Sequence, residues 1–198
     1  MPRDGTITRE RILDVAERLV IEQGFSATPL DQVIAEAATS KGAFFHHFDS
    51  KVDLARALVA RYVEADLAQL EFGLAAAAAV DDPKGRVVAF LRHFEDQGDE
   101  MIAVQSGCLY ASVLAEQDLL RGEVRHLVEQ AAVAWRRAIV DLLRPALPAS
   151  ALDLDALADH VYVTFEGAFL LYRTTEDASA MRAQLQVLRQ LVEHLLSD

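Results

Sequence analysis

The sequence predicts an all-α fold of about nine helices, with an N-terminal helix-turn-helix module of three helices and a C-terminal helical bundle domain. Three observations predict it. Apolar residues recur at helical spacing nearly from end to end, as at Ile12, Val15, Ala16, Leu19 and Val20, and again at Val124, Leu127, Val128, Ala131, Trp135 and Ile139. No stretch sustains the strict alternation of a strand. Glycine, proline and hydroxyl N-caps fall between the periodic segments, where helices have to stop and start.

Taken in order, a first helix over 8–23 ends at Gly24. Thr28-Pro29-Leu30-Asp31 sets a hydroxyl N-cap three residues before a carboxylate and opens a helix over 29–37. Ala38-Thr39-Ser40 is a tight turn, expected to hold with alanine at 38, which needs only ordinary dihedrals if the residue is not left-handed, and a short helix comes next over 41–47. A second capping pattern, Ser50-Lys51-Val52-Asp53, opens a long helix over 51–79, which the alanine run at 75–79 extends because alanine is the strongest helix former. Pro83 behind Asp82 starts a helix over 83–97 that Gly98 interrupts. Helices over 101–117 with a kink at Gly107, over 119–144 before Pro145 and Pro148, over 153–174 and over 177–196 complete the chain.

Composition restricts what such a chain can do. Its 198 residues are 52% hydrophobic, enough to fill a core, and 19 Lys and Arg against 31 Asp and Glu give a formal charge of −12. No global basic field draws this protein to nucleic acid or to an anionic membrane, so an anion-binding site has to be local. The imbalance is uneven: residues 1–51 carry six Lys and Arg against eight acids, and the rest 13 against 23. A near-neutral module precedes a strongly acidic body. One cysteine, Cys108, cannot form an internal disulfide, and the N-terminus lacks the apolar region of a signal peptide, so a cytoplasmic location is expected. The apolar stretch "LEFGLAAAAAV" is shorter than the ~20 residues a bilayer requires. No membrane partner is expected.

The helices over 29–37 and 41–47, joined by a tight turn, have helix-turn-helix spacing. On the second, Phe44 and Phe48 stand four apart and face inward with Leu54, while Lys41, Ala43, Phe45, His46 and His47 fall on its other sides. Small residues at Gly42 and Ala43 let its first turn approach a surface closely. The stretch "GFSATPLDQVIAEAATSKGAFFHHFDSKVDL" resembles the DNA-binding signature of the TetR family of bacterial transcriptional regulators, with its glycine, Thr-capped helix, S-K-G turn, aromatic pair, H-F and S-K-x-x-L. The likeness covers residues 8 to about 58. It implies that Thr28 and Lys51 hold the phosphate backbone of a double-stranded DNA operator, and that Lys41, Gly42, Ala43, Phe45, His46 and His47 line the groove. Where the family usually has tyrosine this chain has Phe45, where it usually has threonine or serine it has Ala43, and Ala38 replaces a frequent turn glycine. Two hydroxyls able to bond phosphate are missing. Apolar contact with a thymine methyl and donation from His46 or His47 remain available. Arg9 and Arg11 are either a basic arm or an ordinary solvated face.

The remaining body contains no catalytic constellation. His93, His126, His160 and His194 are scattered over different helices, and no H-x-x-x-H or C-x-x-C spacing occurs, so neither enzyme activity, a metal nor a cofactor is expected. The family resemblance implies instead a body that encloses an effector pocket, here assigned to Phe94, Cys108, Leu109, Trp135, Phe165 and Phe169, for a small molecule that is mostly apolar or aromatic. Cys108 reads either as a small buried hydrophobe, the more usual role of a free cysteine, or as a redox or electrophile sensor. The resemblance also implies a homodimer through the last two helices, whose apolar residues Leu157, Val161, Leu185, Leu188 and Val192 exceed what one bundle needs. The function expected is that of a ligand-responsive repressor released from a palindromic operator, with residues 1–50 as the DNA-binding domain and 51–198 as the effector-binding and dimerisation domain. Two other readings stay open at this point: a helix-turn-helix used mainly as a protein-interaction module, and a small-molecule carrier or enzyme built on the helical body.

Overall fold

The computed structural model describes residues 3–104, 107–116, 122–147 and 152–197. Among the described residues there are nine helices and no strand: α1 (Arg3–Gln23), α2 (Leu30–Glu36), α3 (Lys41–His47), α4 (Lys51–Ala78), α5 (Pro83–Val104), α6 (Leu109–Leu114), α7 (Glu123–Ala146), α8 (Leu154–Thr175) and α9 (Ala180–Ser197). No helix among them is long and apolar enough to cross a membrane. The helix ends expected at 117 and 119, and Pro148, lie outside the described residues.

Several expected boundaries move: α1 starts at Arg3 and not at residue 8, α7 runs through Pro145 to Ala146, and α5 passes Gly98. Gly98 does not interrupt α5: a Cβ there would stand 2.7 Å from the backbone nitrogen of Arg182, so the missing side chain lets α5 and α9 touch backbone to backbone. That contact outweighs the helix-weakening effect of an interior glycine, which costs only ~1 kcal/mol against alanine. The helix expected over 101–117 is two pieces, since α5 runs to Val104 and α6 begins only at Leu109, behind Cys108 in an extended conformation.

The chain divides into two compact units. The first comprises Met1–Glu64 and Gly107–Glu129 and the second Ala65–Ser106 and Gln130–Asp198, so α4 and α7 each contribute to both. The functional boundary expected at residue 50 does not coincide with this division, because the first half of α4 is tied to α1 by Arg61, which reaches Asp14 at 2.7 Å, Glu17 at 2.7 Å and Glu10 at 3.3 Å. In the second unit α9 packs on α5 and α8, and Arg189 of α9 bonds both Glu95 of α5 and Glu193. The α9 side chains Met181, Leu185, Leu188, Val192 and Leu196 are buried, as is Val161 of α8.

This corrects the expected dimer face. Val161, Leu185, Leu188 and Val192 are core of one protomer, and Leu157 is half-buried. Sequence periodicity identifies an apolar stripe but not which neighbour covers it. The surplus apolar surface is on the other side of the same two helices: Val163, Leu170 and Leu171 on α8, which flank the exposed Gly167, and Val187 and Leu191 on α9.

The turn between α2 and α3 departs from expectation in backbone conformation. Ala38 is left-handed, with φ of 47°. Its N–H bonds the carbonyl of Ala35 at 3.1 Å and the N–H of Thr39 bonds that of Ile34 at 3.1 Å, the two reversed bonds of a Schellman ending with Ala38 where glycine usually stands. An alanine there carries a left-handed penalty of ~1–2 kcal/mol. Replacing it by glycine relieves the penalty but returns ~0.4–1 kcal/mol of unfolded-chain entropy. Ala38→Gly is therefore expected to raise stability by ~0.5–1 kcal/mol, read as a higher urea midpoint at unchanged slope; a lower midpoint would mean that the turn is not left-handed in solution.

Candidate nucleic-acid interface

The surface of α3 is set by what lies beneath it. Phe44 and Phe48 are 0% and 2% exposed, with ring centroids 5.5 Å apart, and they pin the helix to the first unit. Ser40 caps its start by accepting from the Ala43 N–H at 3.1 Å. Beyond its end, Ser50 accepts from the Asp53 N–H at 3.1 Å and Asp53 accepts from the Asp49 N–H at 3.1 Å, so the second expected capping pattern forms and positions the first turn of α4. With the helix held at both ends, Lys41, Gly42, Phe45 and His46 are exposed, and Ala43 and His47 are half-buried. Burial, then the neighbouring His46 and Arg9, hold the His47 imidazole below its ordinary range and favour its neutral form. His46 is the more accessible of the two rings.

Two of the expected backbone contacts are engaged within the protein. Thr28 does not cap α2: the N-cap position is Pro29, and the Thr28 hydroxyl is buried, donating to the Gly24 carbonyl at 2.7 Å and accepting from Gln23 Nε2 at 3.2 Å. Its hydroxyl is not available to a phosphate, because proline took over the start of the helix and left the threonine to close the preceding loop. Lys51 is half-buried, with Nζ donating to the Phe25 carbonyl at 2.6 Å and lying 4.3 Å from the Phe25 ring centroid. Arg9 stands 5.4 Å over the Phe48 ring and bonds Glu10, while Arg11 is exposed.

The six residues assigned to the effector pocket are divided between the two units. Phe94, Trp135, Phe165 and Phe169 belong to the second unit and Cys108 and Leu109 to the first. Phe94 is central to an aromatic cluster, with centroids 5.1 Å from Phe90, 5.4 Å from Trp135 and 5.4 Å from Phe165. Phe169 is buried one turn further along α8. Trp135 Nε1 donates to Asp66 Oδ2 at 3.0 Å, which satisfies the indole N–H in an otherwise apolar setting. Cys108 and Leu109 are buried at the start of α6, where the Tyr62 hydroxyl lies 3.9 Å from the Cys108 sulfur and the Tyr62 and Tyr110 rings meet edge-on at 4.9 Å.

Sequence reading missed Asp66 and Phe90 of this cluster, and the role of Gly73. A signal for Asp66 existed: it stands three residues after Val63 and four before Leu70, both buried, so a carboxylate lies on the inward face of α4. Gly73 is where α4 receives Phe94, since a Cβ there would stand 2.6 Å from the Phe94 ring.

Among the described residues the chain is helical without strands, and a short exposed helix held by a capped helix-turn-helix is the architecture of DNA-binding transcription regulators. Residues 12–58 match the family described as bacterial regulatory proteins, tetR family, and residues 83–188 match the tetracyclin repressor-like C-terminal domain. The chain belongs to the TetR family of ligand-responsive, DNA-binding transcriptional regulators. It is 27% identical over 176 residues to the transcriptional regulator AcuR of Cereibacter sphaeroides, covering 84% of this chain and 77% of that one. It is 28% identical over 140 residues to the HTH-type transcriptional repressor NemR of Escherichia coli, covering 71% of this chain and 67% of that one. A crystal structure of a TetR transcriptional regulator from Chloroflexus aurantiacus superimposes with a TM-score of 0.79 at 27% identity, over 96% of each chain. These relatives are named as regulators, not as enzymes.

Proposed function

We propose that this regulator is a repressor that binds a palindromic operator as a homodimer and leaves it when a small, mostly apolar or aromatic effector binds. The observation that carries the DNA-binding part is the division of α3 into a buried side, Phe44 and Phe48, and an exposed side, Lys41, Gly42, Phe45 and His46, in a chain of charge −12. An acidic protein needs such a local surface to meet a polyanion. One helix of seven residues reads only a few base pairs, and two copies spaced ~34–36 Å or a multiple of it read a palindrome. The exposed apolar stripe of Val163, Leu170, Leu171, Val187 and Leu191 is the surface that favours self-association.

The aromatic cluster supports an aromatic or apolar effector. Its link to DNA runs through α4, whose first turn carries Lys51 and whose Asp66 holds Trp135. A ligand that enters among Phe94, Trp135 and Phe165 and disturbs the Asp66 bond acts on the helix that also positions Lys51. Effector and operator are then antagonistic by linkage.

Lys51→Ala is expected to weaken binding to all DNA sequences about equally and to reduce the salt slope by roughly one per subunit. His46→Ala should instead change base preference, by ~1–3 kcal/mol at one position of each half-site. A fluorescence titration against a panel of duplexes checks both, and a lysine variant that altered preference while the histidine variant did not would reverse the two roles.

Replacing Leu170 and Leu191 together by Glu sets unpaired charge on the exposed stripe and should yield monomers of native helicity in sedimentation. The same double change at Leu185 and Leu188 should unfold the second unit, because these are core.

Trp135 is the single tryptophan, and its emission reports the cluster directly. An aromatic effector should quench or shift that emission over the concentration range in which it releases the operator. Separate midpoints for the two titrations at matched protein concentration would place the effector elsewhere.

A further inference from the structure

The last turn of α3 carries two imidazoles in contact. The His46 and His47 rings meet edge-on with centroids 5.1 Å apart, His46 exposed and His47 half-buried. On its other sides His47 meets the Phe48 ring at 6.4 Å and the first turn of α1, where a Cβ on Gly5 would stand 3.7 Å from Cε1. The charged groups around the pair come from three helices. α1 brings Arg9, which lies over the Phe48 ring and bonds Glu10 at 3.1 Å. α3 itself adds Lys41 at its opposite end. α4 adds Asp53, which feels Arg9 but is bonded by Arg56 at 2.7 Å and by the Asp49 N–H at 3.1 Å. Both acids, Glu10 and Asp53, are thus engaged by groups other than the imidazoles.

These surroundings favour an uncharged His47 in the free protein and a charged pair beside DNA. Burial, the second ring and Arg9 all oppose a proton on His47. A phosphate reverses that balance, because a nearby anion favours the charged imidazole. Histidine is the side chain whose ordinary range falls between pH 5 and 8, so such a pair can change its charge near neutrality. Two rings in contact repel when both are charged and titrate as a unit, so the pair takes up one proton and not two. In a chain of charge −12, one imidazolium per reader is a substantial addition to the local positive charge. The sign follows from linkage: a complex that holds more protons than its free partners gains affinity as pH falls, by a factor of about ten per pH unit for each proton fully taken up.

We propose that the His46 and His47 pair makes operator binding proton-linked: each α3 that docks on the duplex takes up one proton on this pair, so the regulator holds its operator more tightly at pH 6 than at pH 8. This rests on the reading of α3 as the DNA reader. The device is confined to the last turn of α3 and needs no effector.

The test measures the affinity of the full chain for a palindromic duplex, selected by this protein from random DNA at pH 7, between pH 6 and 8 at constant ionic strength. The unaltered protein should bind roughly 10–100-fold more tightly at pH 6 than at pH 8, short of the limit for one proton per subunit because uptake is incomplete over that range. His46→Gln combined with His47→Gln keeps hydrogen-bonding side chains without a titrating ring, and should hold the change across the range below about 2-fold, with circular dichroism reporting an intact fold. His93, His126, His160 and His194, on α5, α7, α8 and α9, remain in that variant and serve as the internal control. NMR titration of the imidazole signals, assigned with the two single variants, should show a His46 or His47 signal that titrates at higher pH with duplex bound than without, and this decides the proposal if the double variant binds too weakly to measure. A pH dependence of equal size in the unaltered protein and the double variant places the protons on other groups and overturns the link, as does a flat profile for the unaltered protein or an unmoved NMR titration. If the double variant loses affinity equally at every pH, α3 keeps its role as reader and the proton link alone falls; if it binds as the unaltered protein does at every pH, the reading of α3 falls and the link with it.

Discussion

Burial of Phe44 and Phe48 sets the rotation of α3 about its axis, and through that rotation decides which of its side chains are exposed. On a seven-residue helix the choice is severe, because each side chain removed from the outer face leaves few replacements. Ser40 and the Schellman ending at Ala38 fix where the helix starts, Ser50 and Asp53 fix the first turn of α4 behind it, and the two rings fix its roll. Lys41, Gly42, Phe45 and His46 are exposed as a consequence. Loss of either ring would alter DNA recognition by unfolding the module and not by deleting a contact.

The electrostatics of the first unit reflect an acidic chain that has to bind a polyanion. Several of its arginines are already paired with carboxylates: Arg18 with Glu22 and Glu36, Arg56 with Asp53 and Glu123, and Arg61 with Glu10, Asp14 and Glu17. These pairs consolidate α1, α2, α4 and α7 within the unit but leave fewer cations for phosphate. Positive charge near the reader is therefore scarce, and the internal engagement of Lys51 matters more than it would in a basic protein.

Helix α4 carries Lys51 in its first turn and Asp66 and Gly73 further along, over about 42 Å at ~1.5 Å per residue. Its contacts in the second unit are of two kinds. Gly73 receives Phe94 by close packing, which tolerates little displacement, whereas Asp66 accepts a hydrogen bond from Trp135.

The sequence by itself determined the fold class, the order of the helices and the inward side of α3, because helical periodicity and capping are local and each is written within a few residues. The roles of Thr28, Lys51 and Ala38 were not local. Proline at position 29 displaced Thr28 from its cap, a carbonyl 26 residues away claimed the Lys51 ammonium, and the path from α2 to α3 forced Ala38 into a left-handed turn. Tertiary structure alone decided which apolar stripes of α8 and α9 are spent inside one protomer, since a stripe records that a face is covered and not by what. It also allowed α5 to pass through Gly98 and brought Glu116 to Ser26. Each of these depends on contacts between segments far apart in the chain or on backbone approach distances, for which single-chain periodicity carries no term.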